Sequence, residues 1–294
     1  MAQKTGTGPI GVLGYRIFGL PVDREVIFSN HKKVYKKKIE NRQRKLIIKL
    51  PFLKPFFDVT EKILLVTTGY SPTTTIDRLL VGWFFVYLKR SLFIFTDQRI
   101  FHIPTTPVYK YRGSIAQIPY GACKAIDMKG RTLEVQYKKF GRIEKFFGIA
   151  GKERKKIKEL LKTLPMGKKE AATAERTFLC PRCATPLTGH KYACMKCDLK
   201  FKTKALAVIN AIIFPGGGYL YLRQYFLGMT AAILEIFLIV IIVISVMDTL
   251  NGLPNSLIRL LLAGFALILE KAVTVVHATT FIVEFIPRKK KLKK

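Results

Sequence analysis

The chain has 294 residues and a mass of 33.5 kDa, room for about two ordinary domains, and its hydrophobic fraction of 49% excludes a disordered polymer. Fifty-one lysines and arginines against 19 acidic residues give a formal net charge of +32, which disfavours a neutral cytosolic enzyme and points to an acidic partner, either nucleic acid or an anionic membrane surface. Five cysteines, four of them in two C-x-x-C pairs, do not make a secreted disulfide framework; reduced thiols facing the cytosol fit them better.

Residues 1–21 lack a charged n-region followed by an apolar stretch and a small-residue cleavage site, so no cleaved signal is expected. With five glycines and two prolines they read as an irregular arm. Ser29 and Asn30 offer an N-cap, and His31–Leu50 reads as a basic amphipathic helix that Pro51 ends. Its cations, Lys32, Lys33, Lys36, Lys37, Lys38, Arg42, Arg44 and Lys45, are the candidate contacts for anionic lipid or an acidic partner. Each basic residue near such a surface contributes about 1 kcal/mol. The competing reading is a solvated face on a helix packed against its own domain.

From Asp58 to Leu164 short apolar runs alternate with turns: Lys62–Thr67, Leu79–Leu88, Leu92–Phe95, Arg99–Ile103, Ser114–Ile118, Cys123–Met128, Thr132–Tyr137 and Ile143–Ile149. These are strand lengths at hairpin spacing. Leu79–Leu88 is too short for the ~20 residues of a spanning helix and reads as a buried strand. Lys152–Leu164 then sets Ile157, Leu160, Leu161 and Leu164 on one stripe, a helix that covers a sheet. The segment Leu92-Phe-Ile-Phe-Thr-Asp-Gln-Arg-Ile100, the segment Ser114-Ile-Ala-Gln-Ile-Pro-Tyr120, the strand pair around Gly130 and the closing helix together resemble the bacterial pleckstrin-homology-like domain. The resemblance spans about a third of the chain and implies a seven-stranded, partly open barrel capped by a helix. It carries fold more securely than lipid binding. Thr96, Asp97 and Arg99 read as turn and ladder chemistry, with Asp97 bonding the local backbone.

After a polar linker, Pro165–Arg176, come Cys180-Pro-Arg-Cys183, ten intervening residues, and Cys194-Met-Lys-Cys197. Two such turns facing each other set four thiolates around one metal ion, with Zn–S near 2.3 Å. Structural Zn2+ is the first reading, mononuclear iron the second and a redox dithiol the third. Four thiolates leave no open position for an activated water. The pattern resembles zinc ribbons, which bind nucleic acid or protein or serve as spacers. His190 reads as a loop residue and Cys123 as a buried small hydrophobe.

Leu227–Met247 and Leu257–Ile286 are long and apolar enough to cross a bilayer, joined by the loop Asp248–Ser256. The tail Arg288–Lys294 adds six positive charges, which places both ends of the pair in the cytosol. Ala205–Phe214 is short, and Pro215-Gly216-Gly217-Gly218 breaks it, so a re-entrant or interfacial segment is expected, with a third span as the alternative. Phe214-Pro-Gly-Gly-Gly-Tyr-Leu-Tyr-Leu222 with Gly228 resembles the proline-glycine-aromatic signature of small two-span membrane domains, and Arg223 departs from it. Glu235 and Lys271 fall at similar depth on antiparallel helices and are the candidate intramembrane ion pair; an oligomer contact and an ion path are the other readings.

The fold class expected is an α+β multidomain membrane protein. It comprises an N-terminal arm and helix (1–57), a pleckstrin-homology-like β-barrel with a C-terminal capping helix (58–164), a linker (165–176) and a small zinc ribbon (177–202). A re-entrant segment (203–226), an α-helical transmembrane hairpin (227–287) and a basic tail (288–294) follow. The function expected is a membrane-anchored adaptor in the inner membrane that faces anionic lipid or a protein partner and has scope to self-associate. A membrane-tethered nucleic-acid binder is the alternative. No G-x-S-x-G, P-loop or H-E-x-x-H occurs, and no enzyme is expected.

Overall fold

The computed structural model describes residues 15–72, 89–139, 141–167, 174–188, 192–282 and 284–288. The expected strand Leu79–Leu88, His190, the first part of the N-terminal arm and the basic tail after Arg288 lie outside these residues. The described chain forms two compact units, one ending at Leu187 and the other beginning at Thr188.

In the first unit, β1 (Arg16–Ile17) and β2 (Leu20–Pro21) make a small hairpin where an irregular arm was expected. Helices α1 (Arg24–Ile27) and α2 (Lys37–Ile47) follow. The basic helix thus starts at Lys37 and not at His31. Asn30 is the reason: its Oδ1 accepts from the amides of Lys32 and Val34 at 2.8 and 3.1 Å, closing a turn with Lys33 at φ +59° instead of capping a helix.

Strands β3 (Ile63–Tyr70), β4 (Arg90–Thr96), β5 (Arg99–Pro104) and β6 (Ile115–Pro119) form an antiparallel meander. Strands β7 (Cys123–Lys129), β8 (Thr132–Tyr137) and β9 (Ile143–Phe146) form a second one. Helix α3 (Arg154–Thr163) follows and buries Ile157 against the second core. Two open sheets replace the expected barrel: among the described residues neither closes on itself. At one end the amides of Tyr70 and Ala150 bond Phe147 O and Thr68 O, joining the end of β3 to the stretch after β9. The meander gains two further strands, because β10 (Thr177–Leu179) pairs with β6 and β11 (Pro186–Leu187) with β10.

Alternation along the strands explains why the first sheet is covered on both faces. Leu92 and Ile94 of β4 enter one core with Leu20, Ile27, Phe28, Ile47, Leu50 and Leu53, while Phe93 and Phe95 enter the other with β7–β9 and Ile157. Residues 15–57 therefore supply about half of the first of these cores and are not an appended arm. Gln43 of α2 docks this layer: its amide donates to Val66 O and accepts from Val66 N–H, both at 2.9 Å, as a neighbouring strand would.

In the second unit, α4 (Lys204–Ile213) is capped by Thr203 and ends before Pro215. Then come α5 (Gly217–Tyr221), α6 (Tyr225–Leu250) and α7 (Ser256–Phe281). Helices α6 and α7 have mean hydropathy 2.8 and 1.8 over their most apolar windows and are long enough to cross a membrane. Only a narrow stripe of α6 is buried, Gly228, Ala231, Glu235 and Ser245; most of its remaining apolar side chains are exposed, with Leu227, Leu238, Ile241 and Ile242 half-buried. No third helix of spanning length occurs among the described residues. The second long helix stops at Phe281, short of the expected Ile286, and the chain turns back: Lys202 N–H bonds Ile286 O, and Arg288 N–H bonds Lys200 O.

Candidate metal centre and polar cluster

The two C-x-x-C segments fold into matching turns. In the first, Cys180 N–H bonds Thr185 O and Ala184 N–H bonds Cys180 O, each at 2.9 Å; in the second, Cys194 N–H bonds Leu199 O at 3.0 Å and Asp198 N–H bonds Cys194 O at 2.9 Å. The residue after the second cysteine has positive φ in both, Ala184 at +58° and Asp198 at +53°. This equivalence brings the Sγ atoms of Cys180, Cys183, Cys194 and Cys197 within 4.8 Å of one another. A tetrahedron with arms of about 2.3 Å has edges of about 3.8 Å, so the cluster has the size and donor set to bind a metal ion such as zinc. Tyr111 supplies a further test of fit. Its hydroxyl is buried with no hydrogen-bond partner, an orphaned polar atom in the field of Cys180. Cys123 stands apart: its Sγ donates to Pro119 O at 3.4 Å, and burial pushes the thiol up to about 12.

The eight basic candidates divide. Lys32, Lys33, Lys36, Lys37, Lys38 and Lys45 are exposed, the first three on the turn before α2. Arg42 is drawn inward by Glu153 at 2.5 Å, and Arg44 by Glu40 and the Tyr15 hydroxyl, each at 2.8 Å. Sequence reasoning left these carboxylates out because they lie on the buried side of the same helix or far along the chain.

The Thr96–Arg99 hairpin is structural, with a different division of labour from that expected. Thr96 Oγ1 accepts from the Gln98 and Arg99 amides, whereas Asp97 reaches across to Lys62 N–H. Arg99 makes a two-pronged pair with fully buried Glu61, at 3.0 and 2.6 Å. Nearby, His102 Nε2 lies 3.0 Å from Ser71 Oγ and 3.1 Å from Ser91 Oγ. Arg176 Nη1 donates to His102 Nδ1 at 3.1 Å, which puts the ring proton on Nε2. That nitrogen therefore donates to the serines and does not serve them as a base. Burial and the charges of Arg176 and Lys89 hold the imidazole well below its usual range, in the neutral form. Arg176, expected in the linker, also pairs with Glu144 at 2.8 Å.

Glu235 and Lys271 meet in the second unit: Lys271 Nζ is 2.5 Å from Glu235 Oε2. Their other partners come from the broken helix. Gly216 N–H donates to Glu235 Oε1 at 3.0 Å, and Lys271 donates to Ala211 O and Phe214 O at 3.0 and 3.4 Å. The carbonyl end of α4 thus faces a cation and the amide that opens α5 faces an anion, as the helix dipole favours. One turn away, Thr274 donates to Glu270 Oε1 at 2.7 Å, and further toward the end of α7 the Tyr219 hydroxyl bonds His277 Nδ1. The Pro-Gly-Gly-Gly break was the sequence signal for these partners, since it frees backbone groups that must be satisfied.

Comparison with protein-family models, curated proteins and solved structures finds no match.

Proposed function

We propose that this chain is a membrane-anchored adaptor. Its first unit is a pleckstrin-homology-like domain, its four cysteines hold structural Zn2+, and both face anionic headgroups or a protein partner on the cytosolic side of an inner membrane. The observation that carries the reading is the run His31–Lys38, eight consecutive exposed residues with five lysines, in a chain that also has two helices of membrane length. Of these lysines only Lys37 has a carboxylate at ion-pair distance among the described residues, Glu40 at 3.7 Å. The order of a four-strand meander, a three-strand meander and a closing helix supports the domain resemblance. A cleft of about 290 Å3 lined by Arg90, Arg131 and Lys152 adds a second basic surface suited to phosphate groups. Self-association through the exposed apolar sides of α6 and α7 belongs to the same proposal.

The full chain in nanodiscs of neutral lipid, mixed with anionic vesicles or with duplex DNA over a salt series, tests it. Capture of anionic vesicles is expected. Changing Lys32, Lys33, Lys36, Lys37 and Lys38 together to Ala removes about 5 kcal/mol, on the order of a thousandfold or more. Capture of DNA in place of vesicles overturns the reading in favour of the nucleic-acid alternative.

A further inference from the structure

In the first unit, three cations from distant parts of the sequence meet in one cleft. Arg90 opens β4, Arg131 lies in the turn between β7 and β8, and Lys152 lies in the short turn Gly151–Glu153 that leads into α3. With Thr68, Tyr70 and Tyr109 they line a cavity of about 290 Å3, at the small end for a ligand site, and no acidic side chain is among its described lining residues. Backbone bonds fix its walls: Tyr70 N–H donates to Phe147 O at 2.9 Å and Ala150 N–H to Thr68 O at 3.0 Å. Two of the cations are held in place by carbonyls, since Arg90 Nη1 donates to Pro107 O at 2.9 Å and Arg131 Nε to Ile149 O at 3.3 Å.

Gly151 is a separate observation at the same cleft. Its backbone is not left-handed, and a Cβ there would meet no atom within 4 Å, so neither conformation nor packing requires a glycine. A ligand that closes on the backbone does require one. The geometry points to a site for one phosphate monoester, the headgroup of a membrane lipid, seated between Arg90, Arg131 and Lys152 and against the backbone of Gly151. A monoester carries about −1.5 to −2 charges near pH 7 and three terminal oxygens, one for each cation. A phosphodiester has one charge and two such oxygens, and leaves one cation without an acceptor. The rim favours a bilayer over a free anion. Val108, 61% exposed between β5 and β6, stands between Pro107, whose carbonyl holds Arg90, and Tyr109, whose ring centroid lies 5.4 Å from the Arg90 guanidinium and 5.2 Å from the Lys49 ammonium. Lys49 Nζ donates to Val108 O at 3.2 Å, and Ile48 beside it is 52% exposed. Apolar side chains set among cations suit the headgroup layer of a membrane. The inference rests on the adaptor reading, for which it names the lipid.

The full chain in nanodiscs of neutral lipid tests the site, mixed with vesicles of phosphatidic acid or of phosphatidylglycerol matched in surface charge. Inorganic phosphate is titrated in parallel by 31P NMR. The wild-type chain is expected to prefer phosphatidic acid by about tenfold or more, and inorganic phosphate to compete for that preference. Arg131→Gln combined with Lys152→Gln is expected to abolish the preference and the binding of inorganic phosphate, while vesicle capture through His31–Lys38 persists. Gly151→Ala is expected to lose most of the preference with Tm unchanged. Val108→Asp is expected to weaken vesicle capture but not the binding of inorganic phosphate. Equal capture of the two vesicles by the wild-type chain, or a preference unchanged in the double variant or in Gly151→Ala, would overturn the site and leave the adaptor reading standing. Capture of neither vesicle would overturn both. Vesicle capture unchanged in Val108→Asp would overturn the lipid as the source of the phosphate.

Discussion

Single side chains settle where the layers of this protein join. Lys156 donates to the carbonyls of Val26, Ile27 and Ser29, at 2.5, 3.0 and 2.8 Å, and so holds the end of α1 and the start of the cationic turn. Burial lowers its pKa from 10.5 to about 8. The unfolded chain thus binds more protons than the folded one between pH 8 and 10.5, so stability rises with pH across that window. Wild-type Tm is expected to gain on that of Lys156→Met between pH 8 and 10.5, by up to about 3 kcal/mol in stability, with no relative change below pH 7. Circular dichroism melts of both chains check this, and parallel profiles would refute it. Little of this was legible beforehand. Lys156 sits among Lys155 and Lys158 in the sequence, and only its position opposite the α1 carbonyls sets it apart. Gln43 and Arg42 were hidden in the same way: a basic helix was readable, but its buried face is defined by partners such as Val66 and Glu153 that lie far along the chain.

At the scale of elements, the hairpin of α4 and α5 depends on glycines at backbone contacts. Gly216 has φ +61°, and a Cβ there would lie 2.0 Å from Gly228 O; one at Gly217 would lie 2.2 Å from Asn210 O. Neither obstacle is a side chain that can rotate away. Gly216→Ala is expected to destabilise the helical unit by about 3 kcal/mol or more, combining backbone strain with loss of the α5–α6 approach that aims Gly216 N–H at Glu235. Gly252→Ala, with φ +71° and open space around it, is expected to cost only about 1 kcal/mol. Denaturant titration of both variants in detergent checks the difference, and equal losses would remove the claim of close approach. The break itself was readable from Pro215-Gly216-Gly217-Gly218. The strands of the first unit were readable from short apolar runs, within one to three residues at most ends. Whether two meanders close into a barrel was not, since closure depends on register and twist between strands distant in the chain.

For the molecule as a whole, the cysteine cluster is a segment with little apolar support. Between Cys180 and Cys197 the buried hydrophobic side chains among the described residues are Leu187 and the cysteines Cys180 and Cys194. A metal ion is therefore expected to carry the order of this segment. One zinc per chain is expected on purification, released by a strong chelator and lost in Cys194→Ser. Its release is expected to open residues 181–199 to protease while the far-ultraviolet circular dichroism of the sheets and helices changes little. A chain free of metal with the segment already protected would contradict this. Metal content, limited proteolysis and dichroism on one preparation decide it.

What the sequence determined by itself were the features written in local pattern. These are the metal-ligand spacing, the two apolar stretches of spanning length, the broken helix between them, the strand periodicity and the excess of positive charge. Each depends on neighbours within a few residues or on bulk composition, which a one-dimensional string contains. Tertiary structure alone decided which lysines stay exposed and which arginines find carboxylates, that residues 15–57 form about half of the first core, and that backbone groups of the broken helix join Glu235 and Lys271. Those outcomes rest on contacts between segments tens of residues apart, where the energy of a charge or an amide is set by what packs against it.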